Sequence, residues 1–309
     1  MNAWNPQSEK NDHGEIMELS VVLVNFNDRN HLGECLSAIE NTADSLDYEV
    51  IVVDNDSADG SQAYIAHNFP KVKLIANSEN VGFAKANNQG WRESRGEFVL
   101  FLNTDTAVQP GALGRLLDEL KSNPEAAAVG PALLRGRRAY QVSFGRRVSF
   151  FSQFLQKLVL NPFYKIVLKR SLRKRSVGWL SAACLLVRRA ALESVAGFDE
   201  YFFIYFEDID LCFRIGKAGW KLVYLPQARV LHEGGATTSL HFVPSRFEYR
   251  KSQLAFYQKH NSKASQVLLR LCLRLNIRLL AWRGIFRGES GEWLREQYES
   301  LLIGRRKGE

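Results

Sequence analysis

The sequence predicts an α/β fold in which a mostly parallel central sheet is covered by helices on both faces. Between residues 19 and 133, short and almost wholly apolar runs alternate with segments of helical period. Strands buried on both faces read as continuous apolar runs, and parallel neighbours need a crossover of this kind. Several of these runs end in Asn or Asp, at the place where ligands bind such sheets. The chain has 309 residues, 46% of them hydrophobic and 24% charged, an ordinary composition with ample material for a large core.

The first 18 residues are polar and aperiodic and are expected to form a disordered leader. "LSVVLVNFN" then reads as a buried strand and 29–42 as a helix. "YEVIVVDNDSADGS" is a second strand that runs into a turn and a helix start. "KVKLIAN" is a third strand, "VGFAKANNQGWRES" a helix, and "GEFVLFLNTDT" a fourth strand. "PGALGRLLDEL" begins with Pro110 near a helix start, and "AAAVGPAL" is a fifth strand.

Three of the strand ends carry residues of one kind: Asn25 and Asn27, Asp54 and Asn55, Asn103 and Asp105. Any one of them could be a turn residue. Their recurrence at the same edge of the sheet points to a polar site. No GxGxxG and no GxxxxGK[ST] accompanies them, so neither the dinucleotide fingerprint nor the P-loop is present. The four cysteines are far apart, without a CxxC or a signal peptide, and are expected to be reduced, structural and cytosolic.

Charge is distributed unevenly. Residues 1–125 hold 9 Lys/Arg against 20 Asp/Glu, and residues 126–309 hold 32 against 13. An asymmetry of this size implies an anionic partner. No RNP, helix-turn-helix or zinc pattern supports nucleic acid. Two basic stretches, "VSFFSQFLQKLVLNPFYKIVLKRSLRKR" and "KASQVLLRLCLRLNIRLLAWRGIFR", interleave Lys and Arg with Leu, Phe and Trp, and Arg270, Arg274 and Arg278 recur every four residues. Neither contains an apolar run of the ~18–20 residues needed to span a bilayer. They suit helices lying on an anionic membrane surface, with packing against the rest of the protein as the alternative.

In "YFFIYFEDIDLCFRIGKAGW" (201–220), a block of aromatics runs into Glu207, Asp208 and Asp210. Carboxylates complement the exposed amides of a helix start. A carboxylate behind aromatic rings is also partly desolvated, which raises its basicity toward the working pH. Taken alone, the stretch fits either role.

The ordered set "VVLVNFN", "VDNDSADGS", "NVGFAKANNQG", "FLNTDT", "GFDEYFFIYFEDIDLCFRIGKAGW" and "ARVLHEGG" resembles family 2 glycosyltransferases of the GT-A fold, most of all the bacterial rhamnosyltransferase branch. The likeness spans about residues 19–260 and implies a nucleotide-sugar-binding half (19–132) and an acceptor half (133–260). Residues 261–309 follow as a basic amphipathic helical region.

The resemblance implies an inverting enzyme with a dTDP- or UDP-sugar donor, dTDP-L-rhamnose being the one expected, a lipid-linked saccharide acceptor and Mg²⁺ or Mn²⁺. It places the protein in envelope polysaccharide assembly, on the cytoplasmic face of the plasma membrane. Asn103-Thr104-Asp105 takes the place of the family's DxD motif, with Asp105 as a metal ligand and His232 as a further one. Asp54 matches the residue that accepts the nucleobase imide, and Asn25 and Asn27 would line the base and ribose pocket beside Asn55. Gly82 would admit the nucleotide to the backbone, with Lys85 or Asn88 within reach of it. Asp208 matches the general base, with Glu207 orienting the acceptor or supporting the loop, and Asp210 caps the helix. Two other readings share such a core: a nucleotidyltransferase and a catalytically inactive membrane scaffold. Nucleotidyl transfer needs no base for a neutral hydroxyl, which favours the glycosyltransferase.

Overall fold

A computed structural model describes residues 17–43, 46–136, 139–148, 173–234, 242–282 and, beyond them, 292, 295–298, 300 and 302. The expected leader at 1–16 and the basic stretch over 149–172 lie outside the described residues. Met17 and Glu18 already belong to the fold, because their carbonyls accept hydrogen bonds from the amides of Glu97 and Phe98.

The elements follow the predicted alternation. They are β1 (Leu19–Asn25), α1 (Arg29–Glu40), β2 (Tyr48–Asn55), α2 (Ser61–Asn68), β3 (Lys73–Asn77), α3 (Phe83–Arg92) and β4 (Phe98–Asn103). A short β5 (Thr106–Val108), α4 (Ala112–Ser122), β6 (Ala126–Arg135), β7 (Ala139–Tyr140) and β8 (Phe144–Gly145) come next. The second half adds β9 (Arg175–Ser176), β10 (Trp179–Leu180), β11 (Cys184–Arg188), α5 (Arg189–Ser194), α6 (Glu207–Lys217) and β12 (Lys221–His232). Two helices follow, which we number α7 (Phe242–His260) and α8 (Lys263–Trp282).

The main sheet has the order β3-β2-β1-β4-β11-β6-β12-β5. β1 pairs in parallel with β2 and β4, β2 with β3, and β6 with β12. β11 runs antiparallel to both β4 and β6, and β5 runs antiparallel to β12. The pleat sends alternate residues to opposite faces. Leu19, Val21 and Leu23 join one core with α1 and α4, while Val22, Val99 and Phe101 join another with α3, α5 and α6. Helix α3 lies so close to β1 that a Cβ on Gly90 would sit 2.3 Å from Val22 Cγ1. Glycine is required there because the helix is packed directly on the strand.

A third cluster joins α6 to the C-terminal helices through Phe206, Phe213, Phe256, Leu269, Leu273 and Ile277. Asp210 stands at this junction and does not cap α6, contrary to the sequence expectation. It is fully buried and is bonded to Arg214 (2.6 Å), Lys259 (2.9 Å) and His260 (2.6 Å). Burial pushes its carboxyl up, but the bonds from His260, Arg214 and Lys259 outweigh this and hold it down at about 2. It is thus an anionic tie between α6 and α7.

Candidate active site

A cleft of about 360 Å³ opens beyond the carboxyl ends of β1, β2 and β4. Of the residues singled out in the sequence, Asn55, Gly82, Asn103, Asp105, Glu207, Asp208 and His232 line it. The β12–β5 pairing explains how His232 reaches Asp105 from far along the chain. His232 is in register with Thr106, and the next two amides, of Glu233 and Gly234, donate to Asp105 O (3.0 Å) and Asp105 Oδ2 (3.1 Å). His232 Nε2 lies 3.3 Å from Asp105 Oδ1. Burial raises the Asp105 carboxyl, but the His232 bond and charge and the Gly234 amide more than offset this, so the net shift is downward and the group is ionised.

The Asn-Thr-Asp turn is braced from below. Thr104 Oγ1 donates to Asp28 Oδ2 at 2.7 Å, Asp28 Oδ1 meets His31 Nδ1 at 2.5 Å, and His31 Nε2 lies 3.3 Å from Glu233. This chain links the turn to the loop after β12. The sequence carries no signal of it, since the partners are scattered between positions 28 and 233.

Glu207 and Asp208 begin α6. The two residues before them, Tyr205 (φ 68°) and Phe206 (φ 66°), both have left-handed backbone. For bulky side chains this conformation costs roughly 1–2 kcal/mol per residue and persists only where the surroundings dictate it. Here α7 supplies the constraint. Tyr249 packs on both rings, with centroids 5.7 Å from Tyr205 and 5.3 Å from Phe206, and Ser252 Oγ donates to Ile204 O at 2.9 Å. Phe83 N also donates to Phe203 O at 2.7 Å. A Cβ on Gly82 would meet the Phe203 ring at 2.7 Å, so Gly82 is glycine because the aromatic loop packs on it.

Asp208 Oδ1 accepts from the Ile209 amide (2.7 Å) and Oδ2 from the Ala182 amide (3.3 Å). Burial pushes its carboxyl up to about 6, held back by those amides. Glu207 is 6% exposed, with Oε2 unpartnered. Burial and the adjacent Asp208 charge push it well above the usual carboxylate range. Both carboxyls are thus raised by burial, and the charge of Asp208 raises Glu207 further, so the two titrate as a pair.

Five of the expected residues are not brought to the cleft lining. Asn25 and Asp54 are fully buried behind the cleft, where Asn25 Nδ2 donates to Asp54 Oδ2 at 2.7 Å. Asp54 Oδ1 is already occupied by the Ser57 amide (3.0 Å) and Gln62 Nε2 (2.8 Å). Asn27 is exposed and holds the following loop through the Ala58 amide (2.7 Å). Asn88 spends its amide on Phe198 O (2.8 Å), Phe198 N (2.9 Å), Glu200 (2.9 Å) and Trp91 (2.9 Å). Lys85 is exposed and is not among the cleft residues. For Asn25, Asp54, Asn27 and Asn88 the residue type is right, but partners invisible in the local sequence claim the side chain.

Fold and cleft together have the arrangement of the GT-A fold, with a polar turn after β4 and a buried carboxylate pair at the start of α6. The chain belongs to glycosyl transferase family 2, whose family model matches residues 20–196. It is 33% identical over 280 residues to the N-acetylglucosaminyl-diphospho-decaprenol L-rhamnosyltransferase of Mycobacterium tuberculosis, covering 84% of this chain and 91% of that one. Rhamnosyltransferase WbbL of Escherichia coli K12 is 26% identical over 221 residues, covering 69% of this chain and 82% of that one. The fold is shared with the mannosyltransferase PcManGT of Pyrobaculum calidifontis, solved with GDP-Man and Mn²⁺. The TM-score is 0.58 at 17% identity, over 97% of this chain and 78% of that one.

Proposed function

We propose that this protein transfers L-rhamnose from dTDP-L-rhamnose to a lipid-linked saccharide in cell-envelope polysaccharide assembly, inverting the anomeric carbon. The observation that carries the reading is the convergence of Asn103, Asp105 and His232 with Glu207 and Asp208 in one cleft. Asp208 takes the proton from the acceptor hydroxyl as its oxygen bonds to the anomeric carbon. As that bond forms, the bond to the nucleoside diphosphate breaks on the opposite face, and the electron pair leaves on the phosphate oxygen. The choice of sugar and acceptor rests on the relatives named above.

Residues for a divalent cation fit the leaving-group side. Asp105 is anionic, His232 faces it, and Asn103 Oδ1 is buried without a partner. Among the described residues no three His, Cys, Asp or Glu side chains group to hold a metal by themselves, so the donor's phosphates would complete the shell. A bound Mg²⁺ or Mn²⁺ would neutralise the charge that develops on the diphosphate.

In the direct test, purified protein is given dTDP-L-rhamnose or a UDP-sugar together with an N-acetylglucosaminyl-diphospho-polyprenol. The expected result is dTDP release with one inverted disaccharide product. Transfer from the UDP-sugar alone would reassign the donor, and a product of retained configuration would remove the single-base mechanism.

We further propose attachment to the inner face of the plasma membrane through α8. Among the described residues no helix is long and apolar enough to cross a membrane. Leu269, Leu273 and Ile277 on α8 face the third core cluster, while Leu271 (47%), Leu275 (59%), Leu279 (55%) and Trp282 (84%) are exposed. The arginine stripe is less free than its spacing implies, because Arg270 and Arg274 donate to Leu302 O at 3.1 and 3.3 Å. Apolar residues with an exposed Trp then supply insertion, and the surrounding cations supply attraction to anionic lipid. Replacing Leu271, Leu275 and Leu279 by Ser is expected to lower sedimentation with phosphatidylglycerol vesicles by more than about tenfold, since a fully buried Leu is worth about 1.5–3 kcal/mol. Equal binding of the variant and the wild type would place the bilayer elsewhere.

A further inference from the structure

We propose that Gln141 is a positioning residue that fixes the tautomer and orientation of His232, turning the Nε2 lone pair toward Asp105 as a ligand for the divalent cation. The inference rests on the metal reading above and assigns a role to a residue outside the cleft lining. Gln141 follows β7, and its side chain makes two bonds to one residue. Nε2 donates to His232 O at 2.6 Å, and Oε1 lies 2.7 Å from His232 Nδ1.

These two bonds determine the proton's place without its being seen. A backbone carbonyl only accepts, so the amide nitrogen of Gln141 must face it. The amide oxygen therefore faces Nδ1 and also only accepts, so Nδ1 carries the hydrogen. In the neutral ring the lone pair is then on Nε2, the atom 3.3 Å from Asp105 Oδ1. Two acceptors at that separation repel unless something positive stands between them: a second ring proton, which makes the Asp105–His232 bond described above, or the divalent cation that displaces it. A ligating histidine whose other nitrogen is tied to a carbonyl oxygen is the arrangement that orients metal sites.

The same hairpin secures the loop that carries His232. Arg135, at the end of β6, donates through Nε to Glu233 O (2.7 Å) and through a terminal nitrogen to Gly234 O (2.6 Å). Gly234 N in turn donates to Asp105 Oδ2, which leaves Oδ1 on the side of His232. The β6–β7 hairpin thus acts as a bracket, and Gln141 is the part of it that reaches the ring.

The test uses the full chain and two readouts. Long-range ¹H–¹⁵N spectra of metal-free protein at a pH where the ring is neutral are expected to show His232 protonated at Nδ1. In Gln141→Met, which keeps the length but has no amide, the ring should become a tautomer mixture. Mn²⁺ affinity in the presence of saturating dTDP, read by electron paramagnetic resonance and corrected for Mn²⁺ bound to dTDP alone, should fall by about 10–100-fold, and His232→Ala should add little to that loss. Gln141→Glu retains an acceptor for Nδ1–H, and its Mn²⁺ affinity should stay within about threefold of the wild type if orientation of the ring is what matters. A wild-type ring protonated at Nε2, or Mn²⁺ binding unchanged in Gln141→Met, would overturn the assignment. A ring protonated at Nδ1 in a wild type with no Mn²⁺ affinity even in the presence of dTDP would instead sink the metal reading, and with it the purpose given to Gln141.

Discussion

Replacing Asp208 by Asn is expected to lower turnover by about 10²–10⁴-fold while donor affinity changes little, because an isosteric amide cannot take the acceptor's proton. The side chain lines the cleft and is held by the amides of Ala182 and Ile209, which leaves it oriented but not neutralised. Burial pushes its carboxyl up to about 6, so the base is lost by protonation as pH falls through that value. In the wild type kcat/KM should therefore drop about tenfold per pH unit below it, and in Asp208→Asn that acid limb should vanish. Glu207→Gln is the contrasting variant. Burial and the Asp208 charge push Glu207 well above the usual carboxylate range, so an amide imitates its protonated form and turnover should stay within about tenfold of the wild type. Initial rates against pH for the three proteins decide the matter. Near-normal turnover in Asp208→Asn, or an acid limb that survives in it, would move the base to another group.

The second large effect is expected at Asp105. Its carboxylate meets the Gly234 amide with one oxygen and His232 with the other, and the net downward shift of its carboxyl keeps it anionic. Asp105→Ala removes the only charged protein ligand proposed for the cation. Metal neutralisation of a leaving diphosphate supplies several kcal/mol, so activity should fall by at least about 100-fold. Donor binding, followed by calorimetry with and without Mn²⁺, should lose its dependence on the ion. Full wild-type activity in excess EDTA would show that positive side chains neutralise the leaving group instead.

The alternation of strand and helix, the polar rim at the strand ends and the aromatic-acidic block at 201–210 are all properties of short windows, and local periodicity and residue type were enough to expose them. Motif order along the chain then placed Asn103, Asp105, Glu207, Asp208 and His232 in one family-like site, and the structure brings all five to one cleft. Most of the residues that miss the cleft share one physical cause. Asn25, Asp54 and Asn88 look the same in sequence as site residues, but each is bonded by partners that chain topology delivers, such as the 197–200 loop for Asn88. Whether a polar group is free to bind depends on what has already claimed it, and that is settled by packing over separations of about thirty to more than a hundred residues. Gln141 and Arg135 were silent for the same reason: a hairpin polar residue becomes a bracket only once β12 has paired with β5 and set His232 beside Asp105. The sequence by itself therefore determined the sheet, the motifs and the chemistry to expect. The tertiary structure alone decided which carboxylate is desolvated and which tied into an ion network, and which face of α8 is covered, because desolvation and pairing depend on neighbours that no local window contains.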